Sequence, residues 1–426
     1  MKKSALLAPL LALTSLSAAM NAHALTLREA AESALQSDPR LQAADQNVQA
    51  SAANVDLARA GYLPTVNASV EGGRSQLYTN ARFPIAGSRN PLAWGLVASQ
   101  PLYTGGLVSA QLNAAKSQLE GAQQSEAGTR QQLLLAVSSA YLDVIRDRAV
   151  IDLNQTTVET LAQAQADTQK RYKAGEATKT DVAQADARLT EAQAGLQRAA
   201  ANAAISAATF RRISGREAEG LTSGWPEFPV PASLADALAK AESTPGVLAA
   251  DAQKRSAQAQ IGAAKAGYLP RLSLEGEATD ADDSQFTFDR QTYWAIQLKA
   301  TLPIYQGGAT RARVSAARAV AAQAAAEADN MRRATIESIT QSWALLKAAQ
   351  DVIKSFETDV AATQLALDSV RKELNAGTRT TLNLLDAERD YLSAQVNLAA
   401  SRHDRAVAAL QLLAASGQLQ VETFTR

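Results

Sequence analysis

Cysteine is absent from the 426-residue chain, and histidine occurs only at His23 and His403. The lack of cysteine excludes disulfides, thiol nucleophiles, cysteine-ligated metals and a lipid anchor on an N-terminal cysteine. His23 lies in a leader-like segment, and His403 lies in a helical, arginine-flanked stretch that predicts an ordinary surface position. A histidine-cluster metal site or a Ser-His-Asp triad therefore has almost no residues to draw on, and no metal or other cofactor is expected.

An excess of basic charge is also missing, because Lys and Arg number 42 and Asp and Glu number 42. Removing Lys2 and Lys3 of the leader leaves a slight acidic excess, so nothing indicates a nucleic-acid partner. Aromatic residues make up only 5% of the chain, whereas Ala and Gln are abundant. This composition favours long, closely packed helices.

Long apolar runs are missing beyond the N-terminus. Lys2 and Lys3 precede a short apolar stretch from Leu6 to Leu16, and Ala22-His23-Ala24 forms a small-x-small cleavage site. This pattern predicts a secretory signal peptide over residues 1–24. No later stretch has the roughly 18 consecutive apolar residues of a membrane-spanning helix. The sequence thus predicts an exported protein without such a helix.

Three ordered markers occur twice in the chain. They are Gly-Tyr-Leu-Pro at 61–64 and 267–270, Pro-Leu/Ile-Tyr-x-Gly-Gly at 101–106 and 303–308, and Ala-Gly at 174–175 and 376–377. This order indicates an internal duplication, with two halves of one fold instead of independent domains. The predicted repeats span 25–224 and 232–426, and a proline-rich linker over 225–231 joins them.

Each repeat predicts a helix, a β-hairpin, a long helix, a tight turn and a return helix. The first helix runs from Leu27 to Leu63 with a break at Asp38-Pro39. Apolar and polar residues alternate over about 65–103 and about 271–304, which predicts strands with one apolar and one polar face. Proline-free stretches predict helical hairpins over about 107–213 and about 309–415.

The second long helix carries a seven-residue apolar repeat typical of a coiled coil, at Ile339, Leu346, Ile353, Val360, Leu367 and Leu374. The first copy has Val137, Val144, Ile151, Val158, Gln165 and Tyr172 in the same register. Each continuous helix would be roughly 100 Å long, and two shorter helices with a bend are the alternative. Gly175 and Gly377 are predicted C-terminal caps, followed by N-caps at Thr178 or Thr180 and at Thr380 or Thr381.

The apolar faces of the strands require an apolar neighbour, and lipid is one candidate. Four strands are too few to close a barrel, and an open sheet edge in lipid leaves backbone groups unpaired. Three copies would supply twelve strands and a usable pore, whereas two would supply eight around a filled interior. The alternative is a soluble four-stranded sheet packed on helices.

These motifs, together with Gly377-Thr378-Arg379-Thr380 running into Leu384-Leu385-Asp386-Ala387, resemble the TolC-type outer-membrane efflux protein family over the whole mature sequence. The resemblance implies an α+β membrane protein with a duplicated helix–hairpin–long helix–helix repeat. It implies a homotrimer in which a twelve-stranded transmembrane β-barrel continues into a long periplasmic α-helical coiled-coil barrel. Such a protein lies in the outer membrane and extends into the periplasm.

The resemblance implies a passive exit duct of a tripartite efflux or type I secretion system. Its partners would be a periplasmic adaptor (membrane fusion) protein, an inner-membrane ABC or proton-driven transporter, and outer-membrane lipid. An exported coiled-coil structural or adaptor protein without a pore is the alternative. An enzyme is least favoured, because no nucleophile-base pair, metal spacing or phosphate loop stands out.

The turns at 172–181 and 374–386 are expected to form a periplasmic gate. By resemblance, Asp386 matches an inner acidic ring and Arg379 matches the motif arginine. We expect Arg379 to pair across hairpins with Asp181, which lies in the equivalent turn of the first copy, and this pair would act as a latch. Two positions depart from the family pattern, with Asn383 in place of Asp and Leu374 in place of Tyr. A second acidic ring is therefore not expected, and one hydrogen bond of the family's latch is absent. The alternative is that Asp181 and Asp386 only stabilise helix N-termini.

Charged residues in the predicted strands and loops form two further groups. Glu71, Glu275, Glu277 and Lys299 are expected on the lumen side of the strands. Arginines in the first external loop and aspartates in the second predict pairing between the loops, with solvated loop charges as the alternative. These residues are Arg74, Arg82 and Arg89, and Asp280, Asp282, Asp283 and Asp289.

Overall fold

A computed structural model of the protein describes residues 25–78, 86–222, 224–285 and 288–424. The predicted signal peptide lies outside these ranges. The first half contains α1 (Leu27–Ser37), α2 (Pro39–Ala60), β1 (Thr65–Gly72), β2 (Ser75–Tyr78), β3 (Ala86–Arg89), β4 (Leu92–Tyr103), α3 (Leu107–Lys173) and α4 (Lys179–Ser214). The second half contains α5 (Leu234–Leu238), α6 (Pro245–Lys265), β5 (Arg271–Gln285), β6 (Phe288–Thr301), α7 (Ala309–Asn375) and α8 (Thr381–Ala415). Short 3-10 helices cover Ala241–Ser243, Ala266–Tyr268 and Val421–Thr423.

The predicted break near the start of the chain is confirmed at Asp38. Its carboxylate accepts a hydrogen bond from the Arg40 backbone N–H at 2.8 Å, and Pro39 occupies the first turn of α2. A proline at this position is tolerated because the missing N–H would have no partner within the helix. The chain therefore forms two helices here instead of one.

The long helices α3 and α7 are continuous and 67 residues each, so the alternative of two bent pieces is wrong. At 1.5 Å per residue each is roughly 100 Å long. Gly175 and Gly377 follow their ends with φ of 82° and 77°, a left-handed conformation that terminates a helix. The return helices have Thr178 and Thr380 as N-caps, which settles the alternatives that the sequence left open.

The strands form an antiparallel four-stranded sheet in the order β1-β4-β5-β6, and β2 pairs with β3 in a separate small ribbon. β1 and β6 are the outer strands, and no described strand pairs with their free edges. The last strand ends at Thr301, before the expected Ile304. β5 continues to Gln285. Asp280, Asp282 and Asp283 therefore lie in this strand, and the prediction that they lie in an external loop is wrong.

The main apolar core lies where α1, α3, α4 and α8 meet, around Leu134, Tyr141 and Phe210. The proline-rich linker crosses this region, and its Phe228 and Val230 contact both this core and a second cluster around Ile339. The linker therefore joins the two halves by packing and does not act as a loose tether.

The coiled-coil prediction is confirmed most clearly on α7, where one face of the helix is buried along most of its length. Ile339, Leu346, Ile353 and Leu367 are buried, and Val360 and Leu374 are half-buried. On α3 the equivalent seam becomes less buried toward the turn: Val137 and Val144 are buried, Ile151, Val158 and Gln165 are half-buried, and Tyr172 is exposed. The seam therefore weakens toward the helical turns.

Candidate functional site

One face of the sheet is apolar and exposed to its surroundings. Val70 on β1, Trp94 on β4, and Trp294 and Ile296 on β6 are 75%, 52%, 73% and 71% exposed. Register places them on one side, because Val70 lies opposite Trp94 and Ala278 lies opposite both Leu96 and Trp294. Exposed apolar area of this extent requires an apolar environment or partner.

The other face carries the four charged residues predicted for a lumen. Glu71 lies opposite Ala93, and Glu277 lies opposite Val97 and Ala295 on this same side. Glu275 forms an ion pair with Lys299 at 3.3 Å, across β5 and β6. The alternating pattern therefore places these side chains together, as the pleat of a strand requires.

The pairing predicted between the two β-hairpins is confirmed at one position. Arg89 at the end of β3 contacts Asp283 of β5 at 2.5 Å, and the Asn90 backbone N–H donates to the same carboxylate at 2.7 Å. Asp280 instead pairs with Arg290 of its own hairpin, a partner that the sequence did not indicate. Arg74 donates to Ser88 at 3.0 Å, whereas Arg82 and the Asp289 side chain lie outside the described residues.

The turn between α3 and α4 is held by a reciprocal cap. The Thr178 hydroxyl accepts from the Asp181 N–H at 3.1 Å, and the Asp181 carboxylate accepts from the Thr178 N–H at 2.8 Å. The Thr178 hydroxyl also donates to the Asp181 carboxylate at 2.8 Å. The hydrogen bonds from the backbone N–H and then from the hydroxyl of Thr178 lower the pKa of Asp181. Within the protomer, Asp181 therefore stabilises the N-terminus of α4, as the alternative interpretation expected.

The turn between α7 and α8 repeats this arrangement with an amide. Asn383 takes the place of Asp181 and completes the cap with Thr380, at distances of 3.3 Å and 3.4 Å. Arg379 donates to Glu373 of its own turn at 2.8 Å. Within the protomer, therefore, Arg379 and Asp181 each have another partner. The latch expected between them stays a proposal about neighbouring hairpins.

Asp386 lies beyond the first turn of α8, so the helix-terminus interpretation does not apply to it. Its Oδ1 accepts a hydrogen bond from Nη2 of Arg188 on α4 at 3.0 Å. The neighbouring Leu385 is 1% exposed and packs against Leu161 and Ala185. The second helical hairpin thus contacts the first at a point with both an apolar and an ionic component.

His403 is buried, and the surface position predicted for it is wrong. Its Nε2 is 3.0 Å from Oδ1 of Asp143 on α3, and its Nδ1 is 3.0 Å from Asp404. Both carboxylates therefore lie close enough to attract a protonated imidazole. The sequence missed this site because the heptad pattern does not indicate which residues of another helix face a given position.

Metal-binding clusters and membrane-spanning helices are both absent from the residues that the structure describes. Across the described ranges, no three His, Asp or Glu side chains converge on a possible metal position. In those same residues, no helix combines the length and the apolar character needed to cross a bilayer.

A family model described as "Outer membrane efflux protein" matches residues 30–216 and 238–418, one segment in each repeat. The chain belongs to the outer membrane efflux protein family. It is accordingly a transport protein of the outer membrane that extends into the periplasm, and not an enzyme.

Relatives of this family match nearly the whole chain. The outer membrane efflux protein BepC of Brucella suis is 29% identical over 400 residues, which cover 93% of this chain and 86% of BepC. TolC of Vibrio cholerae is 26% identical over 404 residues, which cover 92% of this chain and 91% of TolC. CyaE of Bordetella pertussis is 29% identical over 424 residues, which cover 94% of this chain and 85% of CyaE.

Solved structures share the fold. A membrane protein from Pseudomonas aeruginosa matches with a TM-score of 0.83 at 23% identity, and the match covers 92% of each chain. The outer membrane protein VceC of Vibrio cholerae matches with a TM-score of 0.80 at 20% identity, covering 92% of this chain and 96% of VceC. The duplicated arrangement of hairpins and long helices is therefore the fold of outer membrane efflux proteins.

Proposed function

We propose that this outer membrane efflux protein is the passive exit duct of a tripartite efflux or type I secretion system and works as a homotrimer. The observation that carries the proposal is the four-stranded sheet. It has an exposed apolar face, a charged opposite face and two edges with which no described strand pairs. In lipid such edges leave backbone groups without partners, so the sheet has to continue into other copies.

Three copies of this sheet make a twelve-stranded barrel, an even number within the range of bacterial barrels. The apolar face would contact lipid, and Glu71, Glu275, Glu277 and Lys299 would line the pore. Arg271 at the start of β5 shares this face by strand alternation. Three carboxylates against two cations leave each protomer with net negative charge there, which favours cations over anions. An eight-stranded dimer would have its interior filled by side chains.

The two 67-residue helices and their return helices would extend the pore across the periplasm. A continuous tube needs no chemistry of its own, because an inner-membrane ABC or proton-driven transporter supplies the energy through a periplasmic adaptor protein. Membership of the outer membrane efflux protein family supports this assignment of partners.

The helical turns would form the gate of this tube. We place Asp386 at an acidic ring, Arg379 and Asp181 in contacts between neighbouring hairpins, and Tyr172 and Leu374 at the ends of the coiled-coil seams. Asn383 carries no charge, so this gate has one acidic ring, whereas an Asp at position 383 would add a second. Leu374 has no hydroxyl and therefore donates no hydrogen bond in the gate. The turns themselves depend on Gly175 and Gly377.

The membrane assignment is tested with two adjacent residues of β6 that lie on opposite faces of the sheet. We expect Ile296→Lys to abolish stable insertion, because a lysine on the lipid face costs about 2–4 kcal/mol near the bilayer midplane. Gln297→Lys on the polar face, where Glu275 lies opposite, is the matched control and is expected to insert normally. The measurement is the fraction of protein recovered in the outer membrane as detergent-extractable trimer. Equal recovery of both variants would support the exported scaffold without a pore.

The duct and its gate are tested by single-channel conductance in planar bilayers. The wild-type protein is expected to give a small, cation-selective conductance that loses selectivity in Asp386→Ala and increases in Arg379→Ser. Channels that neither substitution alters would keep the duct and remove these residues from the gate. A trimer that inserts but conducts no ions would contradict the proposed function.

A further inference from the structure

Arg188 of α4 contacts the one carboxylate that we place at the aperture. Its Nη2 donates to Asp386 Oδ1 at 3.0 Å, and its Nη1 contacts Glu191 at 3.0 Å. The arginine belongs to the first repeat and Asp386 to the second. We infer that Arg188 determines the charge selectivity of the periplasmic aperture by partly neutralising Asp386 and by tethering α8 to α4. This inference rests on the proposed function.

The contact lies at a place where α8 is already held against the first helical hairpin. Leu385 is buried against Leu161 and Ala185, next to Asp386 in the chain. This packing positions Asp386 in front of Arg188, whose side chain is only 28% exposed. A partly buried arginine has less freedom to leave its partner and is less screened by salt than a fully exposed one.

The Asp386 side chain stays 39% exposed, so ions can reach its carboxylate while the arginine holds it. A second arginine, Arg389, lies 4.0 Å from Asp386 but makes a closer contact with Asp390 at 3.0 Å. Arg188 is therefore the nearest positive charge to Asp386. In a trimer, three such arginines would oppose the field of the three aspartates at the aperture.

The inference is tested by reversal potential and single-channel conductance of Arg188→Gln in planar bilayers with a salt gradient. We expect the cation-to-anion permeability ratio to rise about two- to fivefold, because a positive charge within about 4 Å of Asp386 is lost. The conductance is also expected to increase, because α8 loses its ionic contact with α4. Arg188→Lys keeps the charge and is expected to preserve the wild-type permeability ratio.

Arg198→Gln is the matched control. Arg198 lies on the same helix and on the same groove between the hairpins, and it forms no ion pair with a described residue. Its removal changes the net charge equally but leaves Asp386 paired. The single variants Arg188→Glu and Asp386→Arg each place two like charges next to each other. Combining them restores an ion pair with the charges exchanged, and the double variant is expected to have a conductance closer to wild type than either single variant.

The possible results separate the two proposals. If wild-type channels form and Arg188→Gln has the permeability ratio of wild type or of Arg198→Gln, the inference is overturned and the duct remains. If folded, inserted trimers conduct no ions in any variant, the proposed function is overturned and the inference falls with it.

Discussion

The Nε2 atom of His403 lies 3.0 Å from Oδ1 of Asp143, which joins α8 of the second repeat to α3 of the first. Burial lowers the pKa of His403, but the carboxylates of Asp143 and Asp404 outweigh this effect and raise it above the ordinary value of 6.5. Arg146, which contacts Asp143, opposes the increase. A protonated imidazole therefore stabilises this helix contact.

The sign of the pH effect follows from this raised pKa. The stabilisation is complete below pH 6.5 and is lost as the pH rises through the raised pKa of His403. We expect the unfolding temperature of the assembled protein to fall by about 1–3 °C more in wild type than in His403→Gln between about pH 6 and about pH 9. Circular dichroism during heating measures it.

A parallel pH dependence of wild type and His403→Gln would contradict this prediction. In acid, the stabilisation by this contact lasts only as long as Asp143 stays ionised. Burial raises its pKa, but His403 and Arg146 outweigh burial and leave the pKa below 3.8, so its contribution disappears only at lower pH. Since no other histidine follows the predicted leader, one imidazole signal reports the titration directly.

Gly105 and Gly307 occupy equivalent places in the two repeats but differ in their surroundings. Both have positive φ, 64° and 58°, which strains any other residue. A Cβ at Gly105 would lie 2.8 Å from Cβ of Leu269, whereas nothing lies within 4 Å of one at Gly307. We expect Gly105→Ala to lower the free energy of unfolding by about 2–4 kcal/mol and Gly307→Ala by about 1 kcal/mol, measured by denaturation.

Two substitutions of Asp181 distinguish its role in the cap with Thr178 from a role in the latch with Arg379. Because Asn383 fills the same position in the second turn, Asp181→Asn is expected to keep the cap. Asp181→Ala is expected to cost about 0.5–1 kcal/mol of local stability. Hydrogen exchange of the first amides of α4 measures this difference. If both variants exchange equally and faster than wild type, the charge of Asp181 and not the cap stabilises the start of α4.

Leu385 is expected to provide most of the apolar contact between the turns of the two hairpins. Leu385→Ala empties a site that is 1% exposed and should lower the free energy of unfolding by about 2–3 kcal/mol. Leu382→Ala, on the same helix at a 36% exposed position, is the control and should cost below about 1 kcal/mol. Similar losses from both would indicate that α8 is not anchored through Leu385.

The sequence was sufficient for the elements and their order, because these depend on local signals. Asp38-Pro39 starts α2, Gly175 and Gly377 end the long helices, and period two reveals the strands. The alternation also indicated which charges share a face, since side chains of a strand point to opposite sides in turn. The glycine that ends the long helix and the strand alternation occur in both halves, so the sequence supports those two predictions twice.

Partners across elements depended on the tertiary structure. The sequence indicated Asp181 and Arg379 as a pair, but within the protomer the first caps its own helix and the second contacts Glu373. Arg188 with Asp386, and His403 with Asp143, were not foreseen. A heptad pattern specifies the face that a helix buries but not its height or rotation against another helix. Those two quantities are set by packing between residues far apart in the chain, and they decide which charges meet.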